Sequence, residues 1–257
     1  MTKNLRKVIY VLLSVALCLV MWEILSRVVN VSFVIPGVIE TTVTFAKLLI
    51  TLNFWKIVGT SILRILIGFS LGVILAIFLT PLTLASEFLQ KFISLIMTVI
   101  KSTPVASIIL MIWVIIGSAN VPIAVAVLIV MPIIWQNLYD GYKSISIELT
   151  EVTQIFKFST AKKIKYLILP TLWRYFFPAL ITSIGLAWKS GIAAEIIAYT
   201  KNSIGKEIFD AKAFFEGAEM FAWTLTVIIL SLIFELLIKK LSHKVPLVNR
   251  QSLRRQK

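Results

Sequence analysis

The chain has 257 residues, of which 59% are hydrophobic and only 15% charged, and its mean hydropathy of +0.95 excludes an ordinary soluble domain and points to the membrane. The net charge of +14 then reads as cytoplasmic loops facing anionic lipid head groups, not as a nucleic-acid surface. Cys18 and His243 are the only cysteine and histidine, which excludes an intrachain disulfide and leaves little material for a His-based triad or a Cys/His zinc site.

A basic start (Lys3, Arg6, Lys7) leads into an apolar run from Val8 to about Val29. That run is too long for a signal peptide and no small-residue cleavage site follows it, so it reads as the first membrane span. A spanning helix needs about 20 mostly apolar residues. The stretches that qualify are 8–29, 57–80, 92–117, 121–138, 175–199 and 221–238, which predicts an all-α membrane protein with six transmembrane helices. Residues 37–53, after the Pro36-Gly37 break, are short and amphipathic and are expected on the outer membrane surface. Gly68 and Gly72 on the second span are spaced for close helix packing. Pro104 interrupts the third, either as a plain kink or as a broken helix beside a cavity.

With the N-terminus inside, the inner segments hold Lys3, Arg6, Lys7, Lys91, the basic residues from Lys143 to Arg174 and those from Lys239 to Lys257. The outer ones hold only Lys47, Lys56, Lys201, Lys206 and Lys212. Both termini are therefore expected in the cytoplasm. The chain reads as one permease-sized domain over 1–257, with its core at about 57–240.

Ionisable residues inside spans need a reason. Glu23 and Arg27 are spaced for a local i, i+4 pair. Arg64, Lys101, Lys189 and Glu195 have no such neighbour. Lys189 and Glu195 sit about 120° apart on their helix and cannot form an ideal same-face pair. Each must meet another helix, a water-filled path or a second copy. Lys189 either lines a path that attracts an anionic group or pairs and snorkels structurally.

Residues 140–174 form the longest cytoplasmic insertion. Within it, Ser146 to Phe158 is amphipathic at helical spacing, followed by the basic stretch 161–165 and by Leu167-Ile-Leu169-Pro170. Pro170 is expected to end this loop and fix where the fifth helix begins.

The insertion resembles the signature of ABC importer permeases: Glu-Ala-Ala, three residues, Gly, nine residues, Ile-x-Leu-Pro. Here it reads Glu151-Val-Thr, Lys157 and Leu167-Ile-Leu169-Pro170 at the same spacing, with Val152, Thr153 and Lys157 departing from the pattern. Three further segments, in the same order, are similar to the nitrate/sulfonate/taurine branch. They are Ser61-Ile-Leu-Arg64 with Gly68-Phe69, Lys101-Ser-Thr-Pro104 with Trp113 and Gly117, and Gly185-Leu-Ala-Trp188 with Ala193-Ala194-Glu195. Together the matches cover about 30–240.

The resemblance implies a type I importer permease in the bacterial inner membrane, not an enzyme. Its partners would be a second permease copy, in a homodimer, cytoplasmic ATP-binding subunits and an extracytoplasmic substrate-binding protein. ATP and Mg²⁺ would bind to the ATPase; no Walker-type phosphate loop occurs in this chain. Coupling to the ATPase would fall to Glu148, Glu151, Phe156, Lys157, Phe158, Leu169 and Pro170. The translocation-path candidates are Arg64, Lys101, Thr103, Pro104, Trp188, Lys189 and Glu195. The cargo implied is a small anion of the sulfonate or nitrate kind, with a heterocyclic vitamin precursor as the rival. An ion-coupled secondary transporter is the alternative class; it predicts internal repeats and paired broken helices, and only one strong break is present.

Overall fold

The structure is a computed structural model that describes residues 3–244, and among the described residues every regular element is helical. The helices are α1 (Lys3–Val29), α2 (Val38–Leu49), α3 (Leu52–Ala85), α4 (Glu87–Ser102), α5 (Val105–Ile116) and α6 (Val121–Lys143), then α7 (Ile147–Ile155), α8 (Thr160–Lys163), α9 (Leu169–Ile197), α10 (Ile204–Ala213) and α11 (Gly217–Lys244). Hydroxyl residues set several starts. The Thr51, Ser86, Ser146, Ser159 and Ser203 side chains each accept a hydrogen bond from a first-turn amide, satisfying one of the donors a helix start leaves open.

Contacts at the helix ends sort the connections onto two sides. On one, Thr200 Oγ1 donates to the Ser118 carbonyl at 2.8 Å. Thr60 Oγ1 donates to the Asn202 carbonyl at 2.8 Å, and Phe33 meets Phe215 edge-on. On the other, the Trp135 indole donates to Thr83 Oγ1 at 2.8 Å, and Gly141 abuts Tyr175. α3 therefore ends on the side opposite Ser118, so α4 and α5 together carry the chain back across. They do so as a broken span, bent by 103° at Thr103-Pro104. The five other apolar helices long enough to cross are α1, α3, α6, α9 and α11. Six crossings place both termini on one side, and the basic loops make that side the cytoplasm.

α3, α6 and α9 form the packed centre, around the buried indoles of Trp135 and Trp188. Gly68 and Gly72 let α3 approach α6. A Cβ on Gly68 would lie 2.4 Å from the Ile123 carbonyl oxygen, and one on Gly72 would lie 2.8 Å from Val130 Cβ. The obstruction at Gly68 is backbone, which cannot rotate away. Gly68→Leu is accordingly expected to destabilise the bundle by about 3 kcal/mol or more, read as a lower Tm in detergent; an unchanged Tm would contradict this packing.

α1 touches the bundle mainly at its outer end. Glu23 makes the expected pair with Arg27 at 3.0 Å and also accepts the Val38 amide at 3.0 Å, which ties the start of α2 to α1. α2 itself packs against α11.

Several boundaries differ from the sequence expectation. The second span is a 34-residue helix, longer at both ends than 57–80, and the third begins at Glu87. Pro170 does not end the loop segment. Helix runs from Thr160 to Ile197 without a stop, over 38 residues, with a π-helical turn at Ile164–Ile168 just ahead of Pro170. A proline has no amide to give and its ring crowds the carbonyl four residues back. The wider π turn accommodates that in place of a break, and Thr171 Oγ1 donates to the Leu167 carbonyl at 2.8 Å.

Candidate functional site

The cytoplasmic insertion places α7 clear of the bundle. Ser146 caps its start by accepting from the Leu149 amide. Glu148, in the first turn, is held below the usual carboxylate range by its own backbone amide and by the Ser146 hydroxyl. At the other end the Lys157 amide donates to the Gln154 carbonyl at 2.9 Å, and the Phe158 amide to the Thr153 carbonyl at 2.8 Å. These two bonds make a Schellman cap, which needs a left-handed residue after the helix. That residue is Lys157, with φ 47°.

Lys157 thus stands where the resembled signature has glycine, and the turn is formed nonetheless. A non-glycine residue there costs about 1–2 kcal/mol. Lys157→Gly is expected to stabilise the cap by about 1 kcal/mol, visible as slower amide exchange at Lys157 and Phe158; faster exchange would refute this account.

Only Thr153 of α7 is buried. Ile155 is 75% exposed and Phe156 70%, and Ile147, Leu149, Val152 and Phe158 are exposed as well. Glu151 is exposed and makes no ion pair among the described residues. A short capped helix that presents its apolar side chains to water, at the cytoplasmic end, is a surface built to be covered. Leu169 and Pro170 lie at the start of α9, away from this face. Leu169 lines an apolar cavity of about 170 Å³ with Leu138, Leu172 and Trp173.

The path candidates separate into two groups. Arg64 donates to the Asn202 and Lys201 carbonyls at 3.2 and 3.1 Å, which pins the outer loop. Trp188 is 0% exposed and donates to the Val227 carbonyl at 3.0 Å, within the core and not on a cavity wall. Glu195 is also 0% exposed. Its Oε2 accepts from Ser61 Oγ at 2.9 Å and from the Gly205 amide at 3.2 Å. Lys101, Thr103 and Lys189, by contrast, line one cavity of about 260 Å³, together with Val105, Pro132 and Ser190. Pro104 is the N-cap of α5, at the edge of that cavity.

Sequence reasoning did not single out Gly205 or Gln136, and it read Glu235 only as a local i, i+4 partner for Lys239. Lys101 Nζ donates to Gln136 Oε1 at 3.4 Å, and Glu235 shares a second cavity wall with Lys189. Ser61 stood inside a recognised segment, but nothing local marks it as the partner of Glu195, 134 residues away.

Six crossings, an exposed apolar helix at the cytoplasmic end and lysines within the crossing segments define a multi-pass membrane permease. The chain belongs to the family of binding-protein-dependent transport system inner membrane components, whose sequence model matches residues 68–245; it is the inner-membrane permease subunit of an ABC importer. It is 21% identical over 237 residues to the putative aliphatic sulfonates transport permease protein SsuC of Bacillus subtilis (strain 168), spanning 91% of this chain and 85% of that one. It is 28% identical over 165 residues to the bicarbonate transport system permease protein CmpB of Synechococcus elongatus, spanning 62% of this chain and 57% of that one. Among solved structures, an amino acid ABC transporter superposes with a TM-score of 0.65 at 14% identity, over 79% of this chain and 97% of that one. The MetNI methionine ABC transporter in an inward-facing conformation gives 0.59 at 15% identity, over 74% of this chain and 93% of that one. At such identities these two likenesses speak for the fold.

Proposed function

We propose that the chain imports a small oxyanion as one of two identical permease copies. Cytoplasmic ATP-binding subunits would drive it and an extracytoplasmic binding protein would deliver the cargo. The observation that carries this reading is α7, capped at both ends and apolar on a largely exposed face. Such a face fits a groove on a partner, where a few apolar anchors hold most of the binding energy. ATP and Mg²⁺ bind on that partner, and this chain catalyses no covalent step.

The route from docking helix to path is short. α7 joins α6 through the Ser144-Ile145 turn and leads, past the capped turn at 156–159, into the continuous helix from Thr160 to Ile197. That helix carries Lys189. When the ATP-binding subunits close on nucleotide, a displacement of α7 is transmitted along a rigid element to the cavity wall. The sulfonate and bicarbonate named for the two relatives support a small oxyanion as cargo.

The test is to co-express the full chain with the ATP-binding and binding proteins of its own organism, purify the assembly and reconstitute it in liposomes. ATP-dependent accumulation of methanesulfonate or bicarbonate is expected. Failure to form a complex with any ATP-binding protein would overturn the reading.

A further inference from the structure

Two lysines in membrane-crossing segments open onto one cavity. Lys101 closes α4 at the break, and Lys189 projects from α9. Both are exposed on the surface of the single chain. A lysine facing hydrocarbon costs about 2.5–3.5 kcal/mol, so a face carrying two of them is turned to water or to a second copy, not to lipid. Neither is neutralised by a carboxylate in an ion pair among the described residues. Lys101 meets the neutral oxygen of Gln136 at 3.4 Å, while the Gln136 amide is turned to Asp140 at 2.9 Å.

A third positive source faces the same space. α5 begins at the break, its Val105 is on the cavity wall, and no side chain caps its N-terminus. The open amides of a helix start carry a partial positive charge and bind anions. Thr103 and Ser190 add hydroxyls to the wall. Lys189 also lines a second cavity, of about 330 Å³, with Glu235 and Ser231. The side chains lining the space between α4, α5, α6 and α9 are thus cationic or neutral, with no carboxylate among them, and the space of about 260 Å³ suits a small head group.

We infer that this cavity is the anion-holding waist of the translocation path, where Lys101, Lys189 and the start of α5 take up the charge of a sulfonate- or bicarbonate-sized oxyanion in transit. It rests on the importer reading, with its oxyanion cargo, and adds to it where the cargo's charge is held. Two flexible ammonium groups and an open mouth suit a ligand that must also leave.

The test reads the field without needing the native cargo. Ser190→Cys is made in a Cys18→Ser background, since Cys18 is exposed. The full chain in lipid nanodiscs is treated with a sulfonate-bearing or a trimethylammonium-bearing methanethiosulfonate, each rate normalised to a free thiol. The sulfonate reagent is expected to react about ten-fold faster. That preference should collapse toward unity in the Lys101→Gln/Lys189→Gln double variant and return with Lys189→Arg. Lys201→Gln, an equal charge change on the outer loop, should leave it intact. A ratio unmoved by the double variant, or an introduced thiol closed to both reagents, would overturn the inference. Co-purification with the ATP-binding protein is scored on the same preparations. A lost complex counts against the importer reading alone, and a lost charge preference against the waist alone.

Discussion

The Ile155→Asp/Phe156→Asp double variant is expected to insert, fold and melt like the parent protein while losing its ATP-binding partner. The two side chains are 75% and 70% exposed and belong to a helix anchored only through Thr153. Their replacement removes little contact within the chain, so stability should hold to about 0.5 kcal/mol. At a covered interface the outcome reverses. Each truncated anchor costs about 2 kcal/mol, and a buried, unpaired carboxylate adds several more. Affinity for the ATP-binding subunit should fall by about a thousand-fold or more, and ATP-driven uptake should disappear. Pull-down of the assembly beside a thermal melt of the permease alone separates the two effects. If the complex survives, α7 is not the docking element. If the melt itself drops, α7 packs on its own bundle in the membrane.

Much of this architecture was legible in the sequence because the bilayer allows few solutions. Each crossing must be a long apolar helix, and basic loops fix the orientation. The spaced loop motif then marked the segment that forms the exposed helix α7. The illegible parts are those where one residue type has two structural outcomes. Proline at 170 reads as a stop, yet a π turn carries the helix through it. Proline at 104 reads as either a plain kink or a broken helix, and the structure takes the second, a 103° break with a free helix start. Lysine at 157 reads as a departure from glycine, and its backbone adopts the glycine conformation regardless, because both Schellman bonds form. Arg64 and Trp188 found their acceptors at carbonyls distant in sequence, which no local pattern encodes. Lys101 and Lys189 belong to separate segments, and only the broken helix brings them onto one cavity.

The Glu195→Ala variant is expected to release α10 from the outer face of the bundle. Glu195 Oε2 accepts both Ser61 Oγ and the Gly205 amide, and Ser61 Oγ in turn accepts the Ile204 amide at 3.0 Å. One carboxylate thus joins α9, α3 and the first turn of α10. The space around it is already full: a Cβ on Gly205 would lie 2.4 Å from Glu195 Cβ. Alanine leaves the Gly205 amide and the Ser61 hydroxyl buried without their acceptor, at about 1–3 kcal/mol each, and opens a cavity between close-packed helices. A loss of about 3–5 kcal/mol in total should lower the Tm and speed amide exchange through Ile204–Ala213. Glu195→Gln keeps an acceptor oxygen of the same reach, so it should retain most of the protection at Gly205. That contrast separates a need for the acceptor oxygen and its bulk from a need for an ionised carboxylate, since glutamine keeps the first two and cannot ionise. Equal losses in the two would show that the carboxylate's charge holds the junction. An unchanged exchange pattern in Glu195→Ala would show that α10 is held by its packing on α11 and α9 without this junction.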